Sequence, residues 1–125
     1  MSAHINDFAS AVAVHAAVDP STQTAALTGD AIDLIDSDGE CFAIQQIGVF
    51  EEDHTWTGRI EQSADGTGSW SPISGAAFAA VAEGPNTQVL RFTRTARFVR
   101  YTATVSGSSP GVNLAVVIGQ ARKTF

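Results

Sequence analysis

Phe98-Val-Arg-Tyr-Thr-Ala-Thr-Val105 decides the fold. Val99, Tyr101, Ala103 and Val105 share one parity, while Arg100, Thr102 and Thr104 take the other. That is the period of two expected of a half-buried strand, and no helical face would gather those apolar residues. β-branched and aromatic residues dominate the run, which suits a pleated surface. The neighbouring stretches extend the pattern. Val112-Asn-Leu-Ala-Val-Val-Ile118 reads as a closing strand after the loop Ser106-Gly-Ser-Ser-Pro-Gly111. Thr55 to Gln62 alternates again, with Trp56, Gly58, Ile60 and Gln62 on one face and Thr57, Arg59 and Glu61 on the other.

Turn chemistry separates the runs. Ser63-Ala-Asp-Gly-Thr-Gly68 carries the Asp-Gly pair favoured in hairpin turns, and Glu83-Gly-Pro-Asn86 punctuates the chain before Val89-Leu-Arg-Phe92. Further strands are expected over Ser10–Val18, stopped at Asp19-Pro20-Ser21, and over Thr22–Leu27 and Ala31–Ile35. Asp36-Ser-Asp-Gly-Glu40 reads as a turn, followed by a long strand from Cys41 to Phe50. Two more runs, Trp70–Ile73 and Ala76–Val81, lead into the turn before Val89. Short strands at a spacing of about ten residues predict an all-β, antiparallel β-sandwich of jelly-roll type. A short helix is the rival for the first run alone.

A chain of 125 residues is one domain and can bury about two thirds of its extended surface. Residues 21–125 are assigned to the sandwich, and residues 1–20 to an extended N-terminal arm or its first strand. No run of roughly 18 apolar residues is present to cross a bilayer as a helix, so no membrane partner is expected. The opening Met1-Ser-Ala-His-Ile-Asn-Asp-Phe8 lacks the basic and apolar regions of a secretory signal, and intracellular synthesis, in the cytoplasm, is the expectation.

The net charge is −6, and its distribution is uneven. Ten acidic residues and no Lys or Arg precede Arg59; from there on, seven basic residues face three acidic ones. A balance of this sign disfavours nucleic acid, because phosphate contact demands a basic field. The two halves either pair with each other or present faces of opposite sign to a partner. Arg94, Arg97 and Arg100 are the candidate docking cations, and Arg100, opposite Val99 and Tyr101 in parity, is expected to be exposed.

Catalytic and metal signatures are weak. One cysteine, Cys41, excludes an internal disulfide and is expected to be a buried hydrophobe. His4, His15 and His54 have no metal-pair spacing and are read as surface or arm residues. No serine sits in a GxSxG elbow, and the glycine-rich turn lacks the helix and lysine of a phosphate loop. Asp33, Asp36, Asp38 and Glu40 lack the full spacing of a calcium loop and read as an acidic turn. Neither an enzyme nor a cofactor or metal requirement is therefore expected. Trp56 and Trp70 are candidate sugar-stacking platforms, which would make the chain a carbohydrate-binding or adhesion module.

Ile60-Glu-Gln-Ser-Ala-Asp-Gly-Thr-Gly-Ser-Trp-Ser-Pro-Ile73 and Arg97-Phe-Val-Arg-Tyr-Thr-Ala-Thr-Val-Ser-Gly-Ser-Ser-Pro110 together resemble small β-sandwich proteins encoded among the head genes of tailed bacteriophages. Glu61, Ser63, Asp65, Gly66, Trp70, Arg97, Val99, Arg100 and Gly107 match that pattern, over about residues 25 to 120; Ala64 and Phe98 depart from it. The resemblance implies a virion structural protein, a capsid decoration or cement protein on the exterior of an assembled shell. Its implied partner is the major capsid protein of the same phage, with self-association on the shell left open. A tail-associated adaptor is the alternative within that class. The apolar N-terminal residues Ile5, Phe8, Val12 and Val14 are the remaining candidate contacts, since an exposed apolar patch marks an interface.

Overall fold

A computed structural model of the protein describes residues 12–35, 37–48, 54–106 and 111–122. Those residues form nine strands: β1 (Val12–Gln23), β2 (Leu27–Thr28), β3 (Ile32–Asp33), β4 (Ser37–Ile47), β5 (Thr55–Ser63), β6 (Ser71–Ala77), β7 (Asn86–Thr93), β8 (Phe98–Ser106) and β9 (Val112–Arg122). Sheet A has the order β1-β9-β4-β7, and sheet B has β2-β8-β5-β6, with β3 also pairing β8. Every ladder is antiparallel.

β2 and β3 lie one after the other along the same edge of β8 and act as one interrupted strand. Counted so, the first strand pairs with the last, the second with the next to last, and the pairing winds inward to the β5–β6 hairpin. This is jelly-roll connectivity, and the expected all-β sandwich holds.

The predicted parities become the core. Val99, Tyr101 and Ala103 of β8 meet Leu114, Val116 and Ile118 of β9 across the interior, all at most 3% exposed, and Val105 packs partly buried at the margin. Trp56 and Ile60 of β5, Ala43 and Ile47 of β4 and Phe92 of β7 complete it. One polar chain crosses this core. Trp56 Nε1 donates to Tyr101 Oη at 2.9 Å, and Tyr101 Oη donates to Gln45 Oε1. A Cβ on Gly58 would overlap both Tyr101 Oη and Gln45 Oε1, so the glycine makes room for the link between the sheets. Burial pushes the Tyr101 phenol up, more than the Trp56 hydrogen bond lowers it, which keeps its proton on as the donor to Gln45.

Three local expectations change. β1 does not stop at Asp19-Pro20-Ser21 but continues to Gln23, shifting register between Ala16 and Val18 and again between Val18 and Ser21. It lies at a sheet edge, where the missing N–H of Pro20 costs no interior ladder bond. The expected turn at 36–40 is largely strand, since β4 begins at Ser37 and absorbs the extra residues as a register shift before Cys41. His54 is buried at 4% exposure rather than lying on the surface, whereas Cys41 is buried as expected.

Candidate docking face

The two ladders of β9 and the β4–β7 ladder fix what faces outward from sheet A. Because Cys41, Ala43, Gln45 and Ile47 point into the core, Phe42, Ile44 and Gln46 point away from it. Register then assembles rows across all four strands. One row runs Val14, Gly119, Phe42, Arg91, and the next runs Ala16, Val117, Ile44, Val89. Ala115, Gln46 and Thr87 follow, and then Thr22 beside Asn113.

The first two rows are apolar apart from Arg91, and nothing among the described residues covers them. Val14 is 59% and Val89 69% exposed, at opposite edges of the sheet. Phe42, Ile44 and Val117 between them are half-buried. Gly119 is what lets the Phe42 ring lie flat on the sheet, because a Cβ there would overlap the ring. Large contiguous apolar patches are uncommon on monomers and mark contact surfaces.

Polar groups bound the face at one end. There β1 bulges at Pro20, and Thr22, Gln46, Thr87 and Asn113 wall a cleft of about 480 Å³. Thr22 Oγ1 donates to Asn113 Oδ1 at 2.7 Å across its floor. Arg91 and Glu40 are the charges on the face, both exposed. Neither has an ion-pair partner among the described residues.

The sequence-derived candidates separate between the two sides of the sandwich. Val14 sits on the sheet A face, and Val12 opens β1 opposite Ala121. Ile5 and Phe8 lie outside the described residues. Arg94, Arg97 and Arg100 are engaged elsewhere. Arg94 donates to Ala96 O at 2.9 Å and also to Leu34 O, tying the β7–β8 loop to the end of β3. Arg97 makes a bidentate pair with Asp33 at 2.9 and 2.6 Å and lies over the Phe98 ring. Its hydrogen bonds, with lesser help from Ile35 N–H and the nearby charges, hold the Asp33 carboxyl below its ordinary range.

Arg100 corrects the expectation of an exposed cation. Its side chain is 23% exposed, held by Glu61 at 2.8 Å and stacked over Trp70 with 4.3 Å to the ring centroid. Glu61 also accepts from Arg59 at 3.1 Å. Burial would raise the Glu61 pKa, but the hydrogen bonds and charges of Arg100 and Arg59 together hold it below its ordinary value. Of the two candidate sugar platforms, Trp56 is wholly buried in the core and offers none, while Trp70 is half-buried with Arg100 over one face of its ring. Asp36 and the side chain of Asp38, two of the four carboxylates weighed as a calcium turn, lie outside what is described.

The quoted hairpin motif proves structural. Asp65 Oδ1 accepts from Thr67 N–H at 3.0 Å and Gly68 N–H at 3.1 Å, and Ser63 Oγ donates to Gly68 O. Gly66 turns at φ 76° beneath the Phe98 ring. Glu61, Trp70 and Arg100 form the cluster just described. The motif thus builds one hairpin and its cover, and it does not touch the apolar face.

Fold and face together define a small jelly-roll domain with one sheet face that the described residues leave uncovered. No protein-family model matches the sequence, and no curated protein matches it at a significant level. Solved structures do share the fold. The SPBc2 prophage-derived protein YomS superposes with a TM-score of 0.56 at 11% identity, over 87% of this chain and 93% of its own. A chain in the structure of infectious bursal disease virus, Gx strain, gives 0.56 at 10% identity over 86% of this chain, and the Gt strain gives 0.54 at 10% over 88%. This chain spans only 31% and 32% of those two viral chains.

Proposed function

We propose that this protein is a virion structural protein that adds to the outside of an assembled phage shell, seating the outer face of sheet A on the major capsid protein. The observation that carries the reading is the uncovered pair of rows through Val14, Phe42, Ile44, Val89 and Val117. The sequence resemblance to phage head proteins supports it, as does a fold shared with a prophage-derived protein along nearly its whole length. In this reading the protein binds and stabilises, performs no reaction, and needs neither nucleic acid nor membrane.

An apolar sheet face suits a static contact. Each aliphatic or aromatic side chain taken fully out of water contributes roughly 1.5–3 kcal/mol, so a few such residues suffice for stable seating. The test is co-sedimentation of the purified protein with undecorated capsids. The intact protein should pellet with the shells, while Ile44→Lys, at an outward position, should fold normally and bind at least about tenfold more weakly. Intact protein that stays in the supernatant, or that is found only in tails, overturns the shell assignment.

A further inference from the structure

The four sheet edges of this sandwich are not alike. An unpaired edge strand is a template for another chain, and proteins blunt it with proline, bulges, short strands or charge. β1 carries Pro20 and two register shifts. β6 carries Pro72, Gly75 at φ 78° and a register shift in its ladder with β5. β2 and β3 are two-residue fragments. β7 alone among the described edges has no proline, no register shift and full length, and its one charge is Arg91. Its eight residues, Asn-Thr-Gln-Val-Leu-Arg-Phe-Thr, pair with β4 in unbroken register from Thr93 opposite Glu40 to Asn86 opposite Ile47. Its one ladder is to β4, and Val89 at its middle is 69% exposed.

The geometry points to a second copy of this chain as the occupant of that edge, paired β7 to β7 in antiparallel register about Val89. Parity narrows the register and side-chain matching selects it, since centring on Leu90 would set each Val89 against an Arg91 and centring on Gln88 would carry Arg91 past the strand's end. Residues directly opposite in an antiparallel ladder share a face, so the outward residues Thr87, Val89 and Arg91 must meet outward residues. Centring on Val89 sets each Val89 against its twin and each Arg91 against the other copy's Thr87, and it runs the ladder from Asn86 to Phe92. Centring on Arg91 would oppose two guanidiniums, and centring on Thr87 would shorten the overlap. The two-fold axis then stands perpendicular to the sheet. Both outer faces lie on the same side, and the Ala16, Val117, Ile44, Val89 row continues into its counterpart. The two apolar patches become one, which a heterologous strand would not achieve.

The inference concerns the protein alone and does not depend on the shell reading. Sedimentation equilibrium of the full chain, from low micromolar to several hundred micromolar, should show a reversible dimer. Val89→Lys sets two like charges opposite each other and should weaken the dimer at least about tenfold. Ser71→Lys, on the exposed β6 edge, should leave it unchanged, with circular dichroism confirming that both variants fold. Hydrogen exchange should show amides of residues 86–92 gaining protection as concentration rises. A chain that stays monomeric throughout overturns the inference. So does a dimer that tolerates Val89→Lys but is broken by Ile44→Lys, since that pattern means that the faces stack instead of the edges joining.

Discussion

At the scale of single residues, the interior depends on one hydroxyl and the outer side of sheet B on one carboxylate. Tyr101→Phe keeps the ring but removes both the acceptor for Trp56 Nε1 and the donor to Gln45, two groups that water cannot reach. Leaving buried polar groups unpaired costs about 1–3 kcal/mol, and urea unfolding should show a loss of that size at pH 7. An unchanged midpoint would mean that the linkage contributes nothing. Glu61 sets a pH dependence. Its folded pKa lies below the ordinary 4.5, so its contribution is complete above that value and is lost as pH falls through the lower, folded value. Asp33 and Asp65 are shifted the same way from 3.8, Asp33 first by its Arg97 hydrogen bond and Asp65 first by Thr67 N–H. Denaturation midpoints should therefore fall on acidification from about pH 5 to about pH 3, and Glu61→Gln should flatten part of that slope. An identical slope in the variant would remove Glu61 from the account.

At the scale of elements, β1 is the informative case. Its residues 12–18 pair with β9 from Ala121 to Val116, and Ala17 and Val18 pack against the core. Deleting residues 1–18 would strip the greater part of the β1 ladder from β9, leaving the pairs from Ser21 to Gln23, and uncover part of the interior. The truncated protein should be insoluble or aggregate on expression, as judged by its partition into the soluble fraction; a soluble, folded truncation would show the strand to be dispensable. Period-two alternation made β5 and β8 legible, because one parity in each is apolar and folds inward. The continuation of β1 through Pro20 was not legible, since proline reads as a stop until the strand is known to lie at an edge. The docking face was hidden for a related reason. Cys41 to Ile47 and Val112 to Ile118 are apolar on both parities, and local pattern cannot tell which side a second sheet will cover. Phe42, Ile44 and Val117 come together only through the β4–β9 register, a pairing of strands about 70 residues apart.

At the scale of the whole molecule, the arginines of the basic half around β8 are committed within the fold. Asp33 from the acidic half meets Arg97, and Glu61, itself from the basic half, takes up Arg59 and Arg100. The outer face of sheet A is the apolar surface, and its charges among the described residues are Arg91 and Glu40. This decides how shell binding should respond to salt. A charge-steered contact weakens steeply as the screening length shrinks from about 8 Å at physiological ionic strength to about 3 Å at 1 M. An apolar contact does not, and excluded salts such as sulfate strengthen it. Co-sedimentation with undecorated capsids should therefore persist from physiological to molar salt and increase in sulfate. Ile44→Lys should lose binding under both conditions, whereas Arg97→Ala, whose side chain is committed to Asp33, should lose stability but retain shell binding while folded. Release of the intact protein by salt alone, or loss of shell binding in a folded Arg97→Ala variant, would move the contact from the sheet A face to the arginines around β8.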